Sequence, residues 1–320
     1  MRVLVTGASG FVGKKLVTEL ISQGYDVKVT TRKISNIFPE NIEVFIMDIT
    51  DLTFDLSSVV ERCDIIINCA GEIKNENAMR ALHVDGTKRL LEAFVKHSRT
   101  SNKHWIQLSS VGAYGHSTKP NLKRVITEFS EIKPGGIYEV TKTLADEMII
   151  DFARKTAMTY TILRPSNIIG MLMPNQSFYG LLNAISMRRF FFIGSKKTIS
   201  TFIHIDDVVD ALITCVVNKK AHNQIFNLSN DCYLSEIVIN VCNAFGFKFN
   251  FLLLPETPLR FLVCIFSRFF TLPLTKSRID ALVSKTTYPH KKIKNVLGFA
   301  PKKSIPDFAV EYYRHFNVKT

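Results

Sequence analysis

Tyr138 and Lys142 stand four residues apart in a predicted helix over Tyr138–Lys155, so both side chains share one face. An ammonium beside a phenol favours the phenolate, and such a pair can take up and return a proton near neutral pH. A second chemical signal is Thr6-Gly7-Ala8-Ser9-Gly10-Phe11-Val12-Gly13, which follows an apolar run and opens a helical pattern. Gly7 permits a tight turn, Gly10 lets backbone approach a pyrophosphate, and Gly13 lets the helix pack closely on a sheet. The N–H groups and positive dipole end of that helix, over Ser9, Gly10, Phe11, Val12 and Gly13, then face the phosphates. Position, spacing and flanks together point to a bound dinucleotide.

The strand ends that follow refine this. The second predicted strand closes on Thr30-Thr31-Arg32-Lys33. A carboxylate is expected there for an adenosine ribose with free hydroxyls. Two cations and no carboxylate tilt the reading slightly toward a 2′-phosphate, NADP over NAD, unless Arg32 and Lys33 are only solvated surface. Asp48, before Ile49, is placed either to face the adenine edge or to cap a turn. Asn68-Cys69-Ala70-Gly71 ends the fourth strand with small residues suited to close approach beside the cofactor. Glu72 follows, as a substrate contact or a solvated loop carboxylate.

These residues need a sheet to hold them. Arg2–Val5, Asp26–Thr31, Ile42–Met47, Asp64–Asn68, Lys103–Ser109 and Thr159–Leu163 read as strands. Helical patterns at Gly13–Gln23, Leu56–Arg62, Met79–His97 and Tyr138–Lys155 separate them. Short apolar runs alternating with helices predict an α/β fold with a doubly wound parallel sheet of the Rossmann type. Residues 1–165 form the dinucleotide-binding domain, which also receives about 201–230. Residues 166–200 and 231–320 are expected to form a smaller, partly interleaved C-terminal substrate lobe.

The order of motifs is itself informative. Glycine fingerprint, Gln107-Leu108-Ser109-Ser110, Tyr138-Glu139-Val140-Thr141-Lys142 and Leu163-Arg164-Pro165 follow one another at fitting distances. The chain resembles the extended short-chain dehydrogenase/reductases, in particular the NAD-dependent epimerase/dehydratase group that acts on nucleotide sugars. The resemblance covers residues 1–230 firmly and the tail loosely. It implies that Tyr138 is the proton donor and acceptor for a sugar hydroxyl while hydride passes to or from a nicotinamide. Lys142 would also hold the nicotinamide ribose. Ser110, four residues before Tyr114, matches the catalytic Ser/Thr, with Ser109 the alternative if the strand register differs. Pro165 lies at the cofactor, and Asn167 matches a position near the sugar diphosphate. The chain departs from the pattern at His83, which stands for Asn, and at Ile169, which stands for Tyr.

The same resemblance narrows the reaction. Sugar 4,6-dehydratases of this group carry Asp and Glu directly after the strand-five Ser/Thr. Here those positions are Val111 and Gly112, which transfer no protons. What remains is C4 epimerisation, with the cofactor reduced and reoxidised in place, or reduction of a 4-keto sugar by exchanged NADPH. The tail resembles both 4-epimerases and 4-keto reductases of surface-polysaccharide pathways, which implies a place in surface-polysaccharide biosynthesis. A hydroxysteroid- or flavonoid-type dehydrogenase is a further alternative, because Tyr–Lys chemistry does not select a substrate.

Composition sets the partners. The 320 residues carry 41 Lys and Arg against 28 acids, a formal charge of +13. Nucleic acid is set aside as a partner because no RRM, KH or aromatic-basic motif occurs. The eight His and six Cys show no ligand spacing, so no metal is expected, and the thiols read as reduced and cytoplasmic. Arg188, Arg189, Lys196 and Lys197 either bind the substrate diphosphate or form a solvated face. Residues 251–274 are strongly apolar, with four Phe between 261 and 270. They read as a buried helix, as a dimer contact in a homodimer, or as an interfacial segment at the inner face of the membrane. In the last case the substrate is a polyprenyl-diphosphate-linked sugar.

Overall fold

The computed structural model describes residues 1–32, 37–40, 42–248, 252–267 and 274–317. Lys33 therefore lies outside the described residues. The first half runs β1 (Arg2–Thr6), α1 (Phe11–Ser22), β2 (Asp26–Thr31), β3 (Glu43–Ile46), α2 (Ser57–Val60), β4 (Ile65–Asn68), α3 (Glu76–Arg80), α4 (Thr87–His97), β5 (His104–Leu108), β6 (Lys123–Val125) and α5 (Ile137–Lys155). Then come β7 (Thr159–Pro165), β8 (Asn167–Ile169), α6 (Ser177–Ser186), β9 (Phe192–Ile193), β10 (Ile199–Ser200), β11 (Phe202–His204), α7 (Ile205–Val217) and β12 (Gln224–Leu228). The chain ends through β13 (Cys232–Tyr233), α8 (Leu234–Ala244), β14 (Leu253–Leu254), α9 (Glu256–Phe266), α10 (Lys276–Val283), β15 (Lys285–Thr287), α11 (Lys291–Leu297) and α12 (Ile305–Asn317).

Seven strands form one parallel sheet in the order β12-β7-β5-β4-β1-β2-β3. Its strands are runs such as Ile65-Ile66-Ile67, buried on both faces as parallel sheets require. One face packs on α1 and α7 through Leu16, Leu20, Val208 and Leu212. The other packs on α2, α4 and α5 through Val59, Leu90, Phe94 and Ile149. Strand order reverses between β1 and β4, and the Thr6–Asn68 register sets their following loops side by side. That crevice is where open α/β sheets place their ligands.

A third core joins α6, α8 and α12 through Leu182, Ile237, Val241 and Tyr312. The tail is less uniform than expected from sequence. Ile293 of α11 and the following Phe299 pack on the first core, because α11 lies against β12. β15 pairs with β6 in the first half of the chain. Residues 231–320 therefore do not all belong with the smaller lobe. The predicted helix Met79–His97 also differs: it begins at Glu76 and passes through a π turn at Ala81–Gly86.

At the opposite end of the sheet, His104 is buried between Thr159 and Thr161, with ring nitrogens 2.8 and 3.1 Å from their hydroxyls. It stacks on His222 with ring centroids 4.3 Å apart. Burial, reinforced by His222, pushes the His104 pKa down to about 3. The unfolded chain, with an ordinary value near 6.5, binds the extra proton first, so stability falls as pH drops through this window. Acidification from pH 7 to pH 5 costs about 2 kcal/mol through this residue. Thermal melts at both pH values should show a smaller pH dependence for His104→Gln than for the native chain; equal dependence contradicts this account.

Candidate active site

The glycine turn is set by contact. Gly7 has φ +64°, and a Cβ there would lie 2.7 Å from the Ala70 nitrogen. A Cβ on Gly13 would lie 2.2 Å from the Gly7 carbonyl. The β1–α1 turn is thus pressed against the end of β4, leaving Ser9 and Gly10 exposed at the mouth. Gly10 is the N-cap of α1, with no side-chain cap and no acid in the first turn. Those open N–H groups suit a pyrophosphate. Phe11 is half-buried and Val12 is buried behind them.

Around this turn the other predicted residues take distinct places. Thr31, buried at the end of β2, donates its hydroxyl to Ser9 Oγ at 3.1 Å, and Arg32 beside it is exposed. Asp48 Oδ1 accepts from the Thr50 nitrogen and hydroxyl at 2.9 and 2.7 Å, the turn-capping alternative. Ile49 is buried against Gly86. Cys69 sits half-buried at the end of β4, and burial pushes its thiol up to about 12. Glu72 Oε1 accepts from the nitrogens of Ile73, Lys74 and Asn75 at 2.9, 2.8 and 3.2 Å. These bonds hold its carboxyl below the usual carboxylate range. Glu72 is thus a half-buried loop cap.

Helix α5 carries Tyr138 and Lys142. Gly136 starts it and Tyr138 lies in its first turn. Lys142 is buried one turn on and donates to the Leu108 carbonyl at 2.6 Å. This bond ties α5 to the end of β5. Ser110 follows two residues later, its Oγ accepting from the Gly112 nitrogen at 3.0 Å and keeping its proton to donate. A Cβ on Gly112 would lie 2.6 Å from Glu139 Cγ, so the Ser110 turn packs on the first turn of α5. Ser110, Tyr138 and Lys142 are thereby gathered at one strand end.

Burial pushes the Tyr138 phenol up to about 12, and Glu139 and Asp146 add to it. Burial also lowers Lys142, opposed by Asp146. The phenolate expected beside Lys142 is therefore not the resting form here. The ammonium is committed to the Leu108 carbonyl, and the charges acting on the phenol are negative.

Ser109, the alternative to Ser110, faces the interior. Its hydroxyl donates to Asp146 Oδ2 at 2.8 Å. The same oxygen accepts from Arg164 Nε and Nη2, both at 3.1 Å, while Oδ1 has no hydrogen-bond partner among the described residues. Arg164 also donates to the Tyr114 hydroxyl at 3.1 Å and lies over its ring. Tyr114 donates in turn to Asn227 Oδ1 at 2.8 Å. Asp146 was not singled out from sequence, and Arg164 was named only within the Leu163-Arg164-Pro165 strand end, with no role given. The available signal was an Asp one turn after Lys142, and an Arg inside an apolar strand.

His83, on the π turn, has a definite job. Its Nε2 accepts from the Glu72 nitrogen at 2.9 Å, and its Nδ1 lies 2.8 Å from Thr141 Oγ1. The Thr141 hydroxyl has a carbonyl to donate to, that of Ile137 at 2.9 Å, which leaves Nδ1 as the donor. The ring meets Tyr138 edge-on at 5.6 Å, and burial lowers its pKa to about 4. His83 is a neutral strut between the cofactor-side loop and α5.

The substrate candidates are spread out. Pro165 is buried where β7 ends beside Leu228. Asn167 is exposed and donates to the Thr201 carbonyl at 3.2 Å. Arg188 ends α6 with φ +58° and lies over the Phe247 ring at 4.8 Å. Arg189, Lys196 and Lys197 are exposed.

Removing Asp146 leaves Arg164 and Lys142 as buried cations without their counter-charge. Asp146→Ala should lose about 3–5 kcal/mol in urea unfolding, the range for breaking a buried ion pair. A loss below about 1 kcal/mol, the level of surface pairs, contradicts this view of the network.

The model of the NAD dependent epimerase/dehydratase family matches residues 3–229. A putative UDP-glucose 4-epimerase of Methanocaldococcus jannaschii is 26% identical over 263 residues, covering 77% of this chain and 83% of that protein. The N-acetyl-alpha-D-glucosaminyl-diphospho-ditrans,octacis-undecaprenol 4-epimerase of Escherichia coli O157:H7 is 26% identical over 261 residues, 79% of this chain and 75% of its own. Among solved structures, UDP-glucuronic acid 4-epimerase from Bacillus cereus in complex with NAD superposes with a TM-score of 0.74 at 19% identity, covering 99% of this chain and 97% of that one. With the glycine turn, the Tyr138–Lys142 helix and a family match over most of its length, the chain belongs to the NAD dependent epimerase/dehydratase family.

Proposed function

We propose that the chain is an NAD(P)-dependent sugar oxidoreductase or 4-epimerase acting at C4 of a nucleotide-linked sugar in surface-polysaccharide biosynthesis. The observation that carries this is the convergence of Ser110, Tyr138 and Lys142 at the end of β5. The open N-terminus of α1 and the side-chain-free turn at Gly7 and Gly13 fit a dinucleotide pyrophosphate. A bound nicotinamide supplies a carbon that accepts or returns hydride. Tyr138 holds the proton that reduction of a C4 keto group requires, and takes it back on oxidation. Ser110 donates to the same oxygen. Lys142, through its bond to the Leu108 carbonyl, holds the first turns of α5 at the end of β5 where the sugar would sit. Val111 and Gly112 offer no acid or base, so water elimination has no chemistry there.

Exposed Arg32 at the end of β2 favours NADP over NAD. A homodimer is part of this reading. On α5, Val140 is exposed and Leu144, Met148 and Phe152 are half-buried, an apolar stripe at four-residue spacing suited to a second copy. We place the enzyme in the cytoplasm. Among the described residues no helix is long and apolar enough to cross a membrane. The alternative carrier is a polyprenyl diphosphate met at the membrane surface.

Tyr138→Phe should lower turnover on C4 hydroxyl or keto sugars at least ~100-fold while the fold and cofactor binding persist; undiminished turnover on every sugar tested overturns the assignment. Arg32→Ala should weaken NADP about tenfold and leave NAD nearly unchanged, roughly the 1.4 kcal/mol of one charge-assisted contact. Equal weakening of both removes the 2′-phosphate reading. Mass spectrometry of cofactor released from purified protein separates the two reactions. Retained NAD indicates an epimerase, and an empty protein that binds NADPH indicates a reductase.

A further inference from the structure

Helix α9 is inverted relative to an ordinary surface helix. It has 11 residues and only two charged side chains, Glu256 and Arg260. Both lie on its inner side. Arg260 Nε pairs with Glu256 at 2.8 Å and Arg260 Nη2 with Asp280 of α10 at 2.7 Å. Leu259 and Val263 pack inward beside them on Ile193, Ile279 and Val283. The outer side carries Phe261, Leu262, Cys264, Ile265 and Phe266, all exposed, with Phe261 at 67%. Leu252 and Leu253, just before the helix, are exposed as well. A helix that turns its ions inward and its large apolar side chains outward is shaped for an apolar surrounding.

The charges around it indicate which one. On the described elements that pack with α9, residues 192–197, 252–267 and 274–285, the acids are Glu256 and Asp280, and both are engaged by Arg260. Lys197 and Lys276 are exposed on the same elements, and Lys248 stands just before them. The apolar face is thus bordered by cations, the pattern of a segment that lies in an anionic lipid interface. A second copy fits poorly. Eleven residues make a helix about 16 Å long, and one such face offers a few hundred Å², short of the roughly 800 Å² per partner of a stable dimer. The α5 stripe is the better surface for a second copy.

We infer that α9, with Leu252 and Leu253, docks the enzyme on an anionic membrane surface, its axis along the bilayer plane. This extends the lipid-carrier alternative to a specific surface. It stands apart from the hydride chemistry, because none of these side chains belongs to the Ser110, Tyr138 and Lys142 group.

The test is flotation of the full chain with phosphatidylcholine vesicles, with and without about one-third phosphatidylglycerol. Binding is expected only with the anionic lipid and should weaken as salt rises. Leu262→Glu/Phe266→Glu should cut bound protein at least ~10-fold, with an unchanged melting temperature and unchanged turnover on a soluble nucleotide sugar. A charge-neutral control, Leu262→Ser/Phe266→Ser, should also lose binding, which distinguishes lost insertion from added repulsion. Flotation that persists in both variants overturns the inference. So does a native chain that never floats, or a double variant whose only change is from dimer to monomer in sedimentation. Loss of turnover in Tyr138→Phe with flotation intact keeps the two readings separate.

Discussion

No side chain fits where Gly7 and Gly13 stand. A Cβ at either would enter backbone, of Ala70 in one case and of Gly7 itself in the other. That constraint brings the β1–α1 turn onto the end of β4 and fixes the crevice at the point where strand order reverses. Everything the site requires is measured from this contact. Cys69 and Ala70 are the residues on which that turn presses. Gly71 opens the loop that His83 braces, and His83 reaches from that loop to Thr141 on α5. A chain of backbone contacts and one neutral histidine therefore links the glycine turn to the helix that carries Tyr138.

The second determinant is charge held without water. Lys142 and Arg164 are two buried cations, and Asp146 is the buried acid between their helix and strand. Burial acts against each of the three in its ionised form. Arg164 is secured by Asp146 and Tyr114, and Tyr114 by Asn227 on the edge strand β12. The network spans β5, β7, β12 and α5, so it locks the helix that carries Tyr138 to three neighbouring strands. Burial does most to keep the Tyr138 phenol protonated, and negative neighbours add to it. With Asp146 and Glu139 as its charged neighbours, Tyr138 rests as an acid.

The sheet was legible in sequence because parallel strands are buried on both faces and read as unbroken apolar runs. Asp26–Thr31 has the same bounds in sequence and structure. Tyr138 and Lys142 were legible because helical spacing alone brings them together. Asp146 and Arg164 were not, since their pairing joins a helix to a strand 18 residues later and leaves no local pattern. The π turn at Ala81–Gly86 was hidden for a similar reason. Its residues suit an α-helix, and only the packing of Gly86 on Ile49 and the reach of His83 distinguish it. Residues 291–299 were assigned by position in the chain, whereas Ile293 and Phe299 follow the apolar face of the large sheet.

The excess of positive charge is best understood by where acids are missing. Along β2 and β3, Arg2 and Lys28 have partners in Asp26 and Glu43. Around α7, Lys15, Lys302 and Lys303 are matched by Asp206 and Asp210. Near α9 the two acids are spent inward on Arg260, and the bordering lysines face outward beside apolar side chains. A charge placed only for solubility would be spread over the surface and interleaved with acids. The apolar ridge and the exposed lysines lie on neighbouring elements, and this juxtaposition is the ground of the proposed docking on an anionic interface.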